Sequence, residues 1–124
     1  MYEITVESEF SAAHSLKLYD GSWEPRHGHT WKVAVVVRAE KLDSMGVVVD
    51  FEALKPGLKS ALKELDGISI NEHPDFKDEK LNPSTENVAK FIHDRLREKL
   101  ASPGAKIVKV TVWETPDAAA SYLA

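Results

Sequence analysis

The sequence contains no cysteine, no excess of basic residues and no long apolar run. Without cysteine there are no disulfides, thiolate metal ligands or cysteine nucleophiles, which leaves histidine as the soft-metal ligand. The net charge of −4, with no basic cluster, argues against a nucleic-acid partner. No apolar run approaches the roughly 20 residues that span a bilayer, and residues 1–5 lack the features of a signal peptide. We therefore expect no membrane partner and a cytoplasmic location.

What is present is the composition of an ordinary globular protein. The chain has 124 residues, of which 43% are hydrophobic and 29% charged. This length is sufficient to bury a core of its own, and no linker, repeat or low-complexity segment divides it. We therefore predict a single domain over residues 1–124.

A histidine pair, His27-Gly28-His29, precedes an apolar run over residues 30–37 that predicts a β-strand. Side chains alternate faces along a strand, so both imidazoles point the same way with only Gly28 between them. A third histidine, His14, ends an alternating stretch over residues 2–14 that also predicts a strand. Taken alone, His14 is better explained as a core histidine satisfied by a hydrogen bond. If the two strands pair, the three imidazoles can meet, and three histidines with an open fourth position are typical of catalytic zinc.

Two amphipathic helices are predicted in the middle of the chain. Asp50 can cap the first helix, which stops near Gly67, a glycine expected in the left-handed conformation. Pro56 either begins the main helix after a separate turn or kinks it. Ser84 or Thr85 can cap the second helix.

The predicted element order is strand, strand, helix, helix, strand, strand, with the last two strands at residues 107–114 and 119–123. This order indicates an α+β fold in which a four-stranded antiparallel sheet carries two helices on one face. The exposed sheet edges favour edge-to-edge assembly into a ring. We also expect a short extended piece at Val47–Val49, an irregular polar loop over residues 68–82, and a partly exposed His93 in the second helix.

Six motifs are distributed along nearly the whole chain: Phe10-Ser11-Ala12-Ala13-His14, His27-Gly28-His29, Val49-Asp50-Phe51, Leu65-Asp66, Asn82-Pro83-Ser84-Thr85-Glu86-Asn87 and Trp113-Glu114-Thr115. Together they resemble those of the 6-pyruvoyltetrahydropterin and 6-carboxytetrahydropterin synthase family. The resemblance implies the tunnelling fold, a pterin substrate, and trimers that stack into a homo-hexamer. It also implies a zinc ion held by His14, His27 and His29.

The resemblance implies further substrate-binding residues. Glu114 matches the glutamate that anchors the pterin ring, and a carboxylate can accept two parallel N–H bonds from such a ring. Ser84 and Thr85 match residues beside the pterin, at a helix start where hydroxyls and backbone N–H groups are available. Without the resemblance, Glu114 would be interpreted as a solvent-exposed carboxylate, and Ser84 and Thr85 as helix caps.

The chain departs from the best known members of this family at two catalytic positions. Those members use a cysteine before the histidine pair, and here the position four before His27 is Trp23. They also have an Asp-His pair after the first helix, whereas here Asp66 is followed by Gly67. Glu24, three residues before His27, looks like the pattern of a third subgroup in which a glutamate replaces the cysteine.

That subgroup is associated with folate supply and implies a zinc-dependent lyase. It cleaves the side chain of 7,8-dihydroneopterin, or its triphosphate, to leave 6-hydroxymethyl-7,8-dihydropterin. The predicted catalytic residues are Glu24 as general base and Asp66, acting through water. His73 could replace the missing relay histidine, although a loop histidine before a proline is more often solvated. The alternatives are a 6-carboxy- or 6-pyruvoyltetrahydropterin synthase acting on dihydroneopterin triphosphate, as in queuosine biosynthesis, and an inactive pterin- or metal-binding member.

Overall fold

One antiparallel sheet and two helices make up the fold, which is described by a computed structural model of residues 1–124. The four strands are adjacent in chain order, from β1 to β4. The predicted architecture and element order are therefore confirmed. The elements are β1 (Tyr2–His14), β2 (His27–Ala39), α1 (Phe51–Lys63), a 3-10 helix (Ile70–Glu72), α2 (Thr85–Lys99), β3 (Ala105–Thr115) and β4 (Ala118–Leu123).

The long β1–β2 ladder sets the register of the whole sheet. It runs from the pair Tyr2 and Ala39 to the pair His14 and His27 without interruption. Apolar residues alternate with polar ones along β1, so a one-residue slip against β2 would move the apolar set of β1 to the solvent face. The pattern of alternation therefore determines the pairing that brings the two strand ends with histidines together.

The core lies between the sheet and the helices. Its largest buried side chain, Trp31 of β2, stacks on Phe10 of β1 with ring centroids 5.7 Å apart. Leu58 of α1 and Ile92 of α2 belong to the same cluster of 24 buried residues. Because one cluster joins both helices to the sheet, the helices cover the same face of the sheet, as expected.

The starts of both helices follow the sequence signals, but α1 ends at Lys63 and not at the predicted Asp66-Gly67, because residues 64–67 form turns. The Asp50 carboxylate accepts a hydrogen bond from the Glu52 N–H, and Ser84 accepts one from the Asn87 N–H, so these residues are the two N-caps. Gly67 has a φ of +77°, the left-handed conformation that glycine adopts without steric cost. Pro56 lies inside the continuous helix α1, so the alternative with a separate first turn is wrong.

Strand β3 departs from simple alternation at a bulge. Val36 pairs with Lys109 and Val37 with Ile107, so Val108 is an extra residue without a partner on β2. A bulge shifts the side-chain alternation by one residue. Ile107 is therefore buried in the core with Val110 and Val112, although uninterrupted alternation would place it on the opposite face.

Other expectations need correction. Val47–Val49 joins no strand, because its buried valines pack into the core as part of a bent connection. The loop over residues 68–82 contains a 3-10 helix. His73 and His93 are buried rather than solvated, since each ring has aromatic neighbours and a carboxylate partner. Neither α1 nor α2 combines the length and the apolar character that a membrane-spanning helix needs.

Candidate metal centre and active site

Three imidazoles meet at one end of the sheet, as the strand parity predicts. His14 at the end of β1 pairs with His27 at the start of β2, and His29 lies two residues further along on the same face. The ring centroids of the three histidines lie 4.7 to 5.5 Å apart. The pairing register therefore assembles three metal-ligand side chains from two adjacent strand ends.

Backbone carbonyl groups orient two of the three rings. His14 Nδ1 lies 2.8 Å from the carbonyl oxygen of Pro83, and His27 Nδ1 lies 2.9 Å from that of Pro25. A carbonyl oxygen can only accept, so each Nδ1 carries the hydrogen and donates it. In the neutral rings, both Nε2 atoms therefore present lone pairs to the site. This arrangement is typical of metal-ligating histidines.

The Nε2 atoms lack partners suited to those lone pairs. His14 Nε2 and His27 Nε2 are 3.1 Å apart, so two acceptor atoms face each other when both rings are neutral. His29 Nε2 is buried and has no hydrogen-bond partner. A cation between the rings satisfies all three nitrogens at once. The donor set therefore fits a metal ion such as zinc, which commonly binds histidine nitrogen.

Glu114 adds a carboxylate to this group. Its Oε1 atom lies 2.9 Å from His14 Nε2 and 3.8 Å from His29 Nε2. The four potential ligand atoms all lie within 4.8 Å of one another. For comparison, ligand atoms around a tetrahedral zinc ion with bonds near 2.0 Å are about 3.3 Å apart.

An irregularity in the last strand pair accompanies the position of Glu114. Trp113 pairs with Ala119 and Thr115 with Ala118, so Glu114 lies at a register shift between β3 and β4. Such irregularities are common beside active sites, where they redirect a side chain. The family resemblance implies a pterin anchor at Glu114. The structure brings its carboxylate to the histidines, so the carboxylate is available to a metal or to a ligand beside the metal.

The surroundings favour neutral histidine at this site. Burial lowers the pKa of His29 below its ordinary value, and the nearby His27 and His14 rings lower it further. The Glu114 carboxylate opposes this shift without reversing it. A metal competes with protons for imidazole nitrogen, so a low pKa keeps His29 available as a ligand near neutral pH.

Trp31 supports the histidines from the core side. Its ring makes edge contacts with His14, at 4.7 Å between centroids, and with His29, at 5.5 Å. Its indole N–H donates to the carbonyl oxygen of Ala12, at 3.1 Å. The fully buried tryptophan therefore restricts two of the three rings and separates them from the core.

Glu24 lies at the edge of the histidine cluster. Its Oε1 atom is 3.9 Å from His27 Nε2 and accepts a hydrogen bond from the Leu16 N–H at 3.0 Å. The side chain is 26% exposed, so a small molecule at the cluster could reach it. The structure thus brings the predicted base close to the predicted metal ligands.

The other predicted residues lie around this centre rather than within it. The Asp66 carboxylate accepts a hydrogen bond from the Ser11 N–H, at the edge of β1 that faces away from β2. Asp66 is not one of the four clustered ligand groups. Ser84 caps α2 and Thr85 is its first residue, next to the Pro83 carbonyl that binds His14. His73 binds Glu64 and the Asp75 N–H instead of belonging to the cluster.

Two asparagines near the site were not identified from the sequence. Asn71 binds the backbone of Ser15, and Asn82 binds the backbone of Lys17, on either side of the Leu16 contact with Glu24. Asn82 is the first residue of the family motif over residues 82–87, but the motif did not indicate a role for this side chain. A sequence pattern does not show which distant backbone groups an amide side chain will reach.

Comparison with known proteins agrees with this geometry. The family model described as 6-pyruvoyl tetrahydropterin synthase matches residues 3–124. The dihydroneopterin monophosphate aldolase of Pyrococcus furiosus is 38% identical over 112 residues, covering 90% of this chain and 88% of that relative. The 6-carboxy-5,6,7,8-tetrahydropterin synthase of Bacillus subtilis is 34% identical over 126 residues, covering 98% of this chain and 84% of that relative.

A solved structure gives the same result. The 6-pyruvoyl tetrahydropterin synthase of Caenorhabditis elegans superposes with a TM-score of 0.84 at 27% identity, covering 100% of this chain and 97% of the other. The family match, the relatives and the superposition all extend over nearly the full chain. The chain therefore belongs to the 6-pyruvoyl tetrahydropterin synthase family.

Proposed function

We propose that this protein is a zinc-dependent lyase that cleaves the side chain of a 7,8-dihydroneopterin-type substrate by a retro-aldol reaction. The products are 6-hydroxymethyl-7,8-dihydropterin and a two-carbon aldehyde. The observation that carries the proposal is the position of Glu24, a carboxylate 3.9 Å from a group of three histidines, in a chain without cysteine. The similarity to an aldolase of dihydroneopterin monophosphate also supports it.

His14, His27 and His29 would hold the zinc ion through their Nε2 atoms. When bound, zinc supplies Lewis acidity that makes substrate hydroxyl groups easier to deprotonate. The chain itself supplies the orientation of the ligands. The carbonyl groups of Pro83 and Pro25 keep hydrogen on the Nδ1 atoms of His14 and His27, which leaves their Nε2 lone pairs for the metal.

Glu24 acts as the general base in this scheme. It removes the proton of the hydroxyl on the second side-chain carbon, and that oxygen then forms a carbonyl as the bond between the first and second carbons breaks. The released electron pair moves to the first carbon, where the C=N bond of the dihydropterin ring delocalises it. Glu24 then returns its proton to that carbon, so the residue ends the cycle ionised.

The pterin ring is proposed to lie against Glu114, Ser84 and Thr85. A carboxylate at Glu114 can accept two N–H bonds from the ring, and the start of α2 offers hydroxyl and amide groups. Asp66 remains a candidate for proton exchange through water, because its carboxylate already accepts one backbone N–H and keeps further acceptor capacity.

Product identification tests this function. The zinc-loaded protein is incubated separately with 7,8-dihydroneopterin, its monophosphate and its triphosphate. We expect 6-hydroxymethyl-7,8-dihydropterin from at least one substrate, together with glycolaldehyde or its phosphate. Glu24→Gln should abolish turnover with the zinc content unchanged. Bound zinc without any hydroxymethyl product would refute the proposed reaction.

A second candidate follows from the similarity to 6-carboxy-5,6,7,8-tetrahydropterin synthases. In that case dihydroneopterin triphosphate would yield a carboxy- or pyruvoyl-pterin, with Glu24 in place of the usual cysteine. The same assay separates the candidates, because the products differ in mass. Pterin binding without turnover of any substrate would instead indicate an inactive member of the family.

We further propose that the protein assembles as a homo-hexamer of two trimers. The outer edge of β4 has no strand partner, and the outer edge of β1 is paired only near residues 11–13 by the segment over residues 67–69. Free edges of this kind favour strand pairing between copies. Light scattering of the purified protein measures the mass, and a monomer at micromolar concentration would contradict the assembly.

A further inference from the structure

The backbone of Ser15 to Lys17, directly after β1, forms an antiparallel bridge with Trp23 and is also bound by two side chains. Asn71 accepts a hydrogen bond from the Ser15 N–H at 2.8 Å and donates one to the Ser15 carbonyl at 2.7 Å. Asn82 does the same for Lys17, at 2.9 Å and 3.0 Å. Two amides therefore fix the residues on either side of Leu16.

Glu24 is held at three points of contact, two with Leu16 and one with Ser15. The Leu16 N–H donates to Glu24 Oε1 at 3.0 Å, and the Leu16 carbonyl accepts from the Glu24 N–H, also at 3.0 Å. The Ser15 hydroxyl donates to the Glu24 carbonyl. Both the backbone and the carboxylate of Glu24 are thus attached to the segment that the asparagines hold.

We propose that Asn71 and Asn82 are positioning residues for Glu24, which together keep its carboxylate at the histidine cluster. This inference rests on the proposed role of Glu24 as the base. Because the two amide side chains bind the backbone of Ser15 and Lys17, both act on Glu24 through this segment and the Leu16 N–H. A displacement of about 1 Å at a catalytic group can lower the rate by roughly a hundredfold.

The chemistry of the amide explains why asparagine occupies these positions. Its side chain combines an acceptor oxygen with a donor NH₂, which matches the N–H and carbonyl of one backbone residue. Aspartate would keep the bond from the N–H but set a carboxylate against the carbonyl oxygen. Alanine would leave both backbone groups without partners, and the Ser15 groups belong to a buried residue.

The same region connects Glu24 to the metal ligands. Asn82 is followed by Pro83, whose carbonyl oxygen accepts from His14, and by Ser84, the cap of α2. The Asn82 carbonyl also accepts from the Asn87 side chain, at 2.9 Å. The segment that starts α2 therefore positions the base through Asn82 and a metal ligand through Pro83. This arrangement keeps the two parts of the site in a defined relation.

The test uses Asn71→Ala, Asn82→Ala and the milder Asn71→Asp in the zinc-loaded protein. We expect each alanine variant to lower kcat roughly ten- to a hundredfold, with KM and zinc content changed by less than about twofold. Asn71→Asp should fall between Asn71→Ala and the natural protein. Ser22→Ala is the control, because its hydroxyl binds only Asp20 in the same loop and its loss should leave kcat unchanged.

A cycle with Glu24→Asp separates positioning from a general structural effect. This variant keeps a carboxylate, but one that is too short to keep both the Leu16 contact and the approach to His27. If Asn71 acts through Glu24, Asn71→Ala should cost less than about twofold in that background. An equal loss of kcat in both backgrounds would overturn the proposal.

Hydrogen exchange of the Leu16 amide provides a second readout that does not depend on activity. We expect this amide to be protected in the natural protein and to exchange at least tenfold faster in Asn71→Ala, Asn82→Ala and Glu24→Ala. Unchanged protection in both asparagine variants would refute the positioning role, even if Glu24 proves to be the base. Conversely, if Glu24→Ala retains full turnover, the proposed base is wrong, while the exchange rates still show whether the asparagines hold Glu24.

Discussion

Replacing His29 with leucine should stabilise the zinc-free protein and destabilise the zinc-bound protein. His29 Nε2 is buried without a hydrogen-bond partner, so the folded state without metal carries the desolvation cost of that atom. Leucine has a similar volume and no polar atom. The substitution His29→Leu therefore removes this cost, and at the same time removes a metal ligand.

The two effects have opposite signs and measurable sizes. An unpaired buried polar group costs about 1–3 kcal/mol, which is the gain expected without zinc. Zinc at about a thousand times its Kd stabilises a protein by about 4 kcal/mol. For 124 residues, unfolding near 60 °C has an entropy of about 0.26 kcal/mol/K, so 4 kcal/mol corresponds to a rise in Tm of about 15 °C.

Thermal unfolding followed by circular dichroism, with chelator and with excess zinc, measures both effects. In chelator, we expect the Tm of His29→Leu to exceed that of the natural protein by about 4–12 °C. With zinc the order should reverse. His93→Leu is the matched control, because His93 is also buried but has a carboxylate partner, and this variant should keep the full zinc-induced shift.

Two results would refute the reasoning. A His29→Leu variant that is less stable than the natural protein in chelator would show that the buried nitrogen carries no cost. A variant that keeps the full zinc-induced rise in Tm would show that His29 is not a metal ligand. The His93→Leu control separates these results from a general loss of packing.

Three further predictions concern other parts of the molecule. Glu114→Ala should weaken pterin binding roughly ten- to a hundredfold and keep zinc, as measured by calorimetry and metal analysis; loss of zinc instead would make Glu114 a ligand. Leu58→Ala should lower the free energy of unfolding by about 2–5 kcal/mol in urea, since Leu58 is fully buried, and a loss below 1 kcal/mol would contradict its core position. Burial would raise the pKa of Glu64, but hydrogen bonds from Arg95 and His73 outweigh it and lower the pKa below the ordinary 4.5. The stabilisation from ionised Glu64 is thus present above pH 4.5 and lost as the pH falls through the lowered pKa. Urea unfolding should therefore show Glu64→Gln approaching the natural protein in stability only under acid conditions, and a gap independent of pH would refute this.

The sequence predicted the strands of the sheet but not the bulges and register shifts in their pairing. Alternation identified β1, an apolar run identified β2, and the capping candidates Asp50 and Ser84 or Thr85 marked the starts of both helices. The bulge at Val108 could not be predicted, because an apolar residue is compatible with either face of the strand and the alternation continues through it in the sequence. Pro56 was ambiguous for a similar reason, since tertiary packing decides whether a helix continues through a proline.

The burial of two histidines outside the metal centre was not predicted from the sequence. His73 and His93 were expected to be exposed, one before a proline and one beside an apolar stripe. Both are buried beside a carboxylate. The partner of His73 is Glu64, from another part of the fold, and the partner of His93 is the next residue, Asp94. The local sequence does not contain this information, because burial depends on which elements pack over a residue.

The sequence by itself determined which residues could form the centre. The periodicity of a strand places His27 and His29 on one face and His14 on the apolar side of its own strand. The composition shows that cysteine is absent. Only the tertiary structure decided how these residues are oriented. The Pro83 and Pro25 carbonyls set the imidazole hydrogens, a register shift accompanies the approach of Glu114, and Asn71 and Asn82 hold the segment that binds Glu24. These contacts join residues far apart in the chain or depend on the path of a loop, so they arise only when the chain has folded.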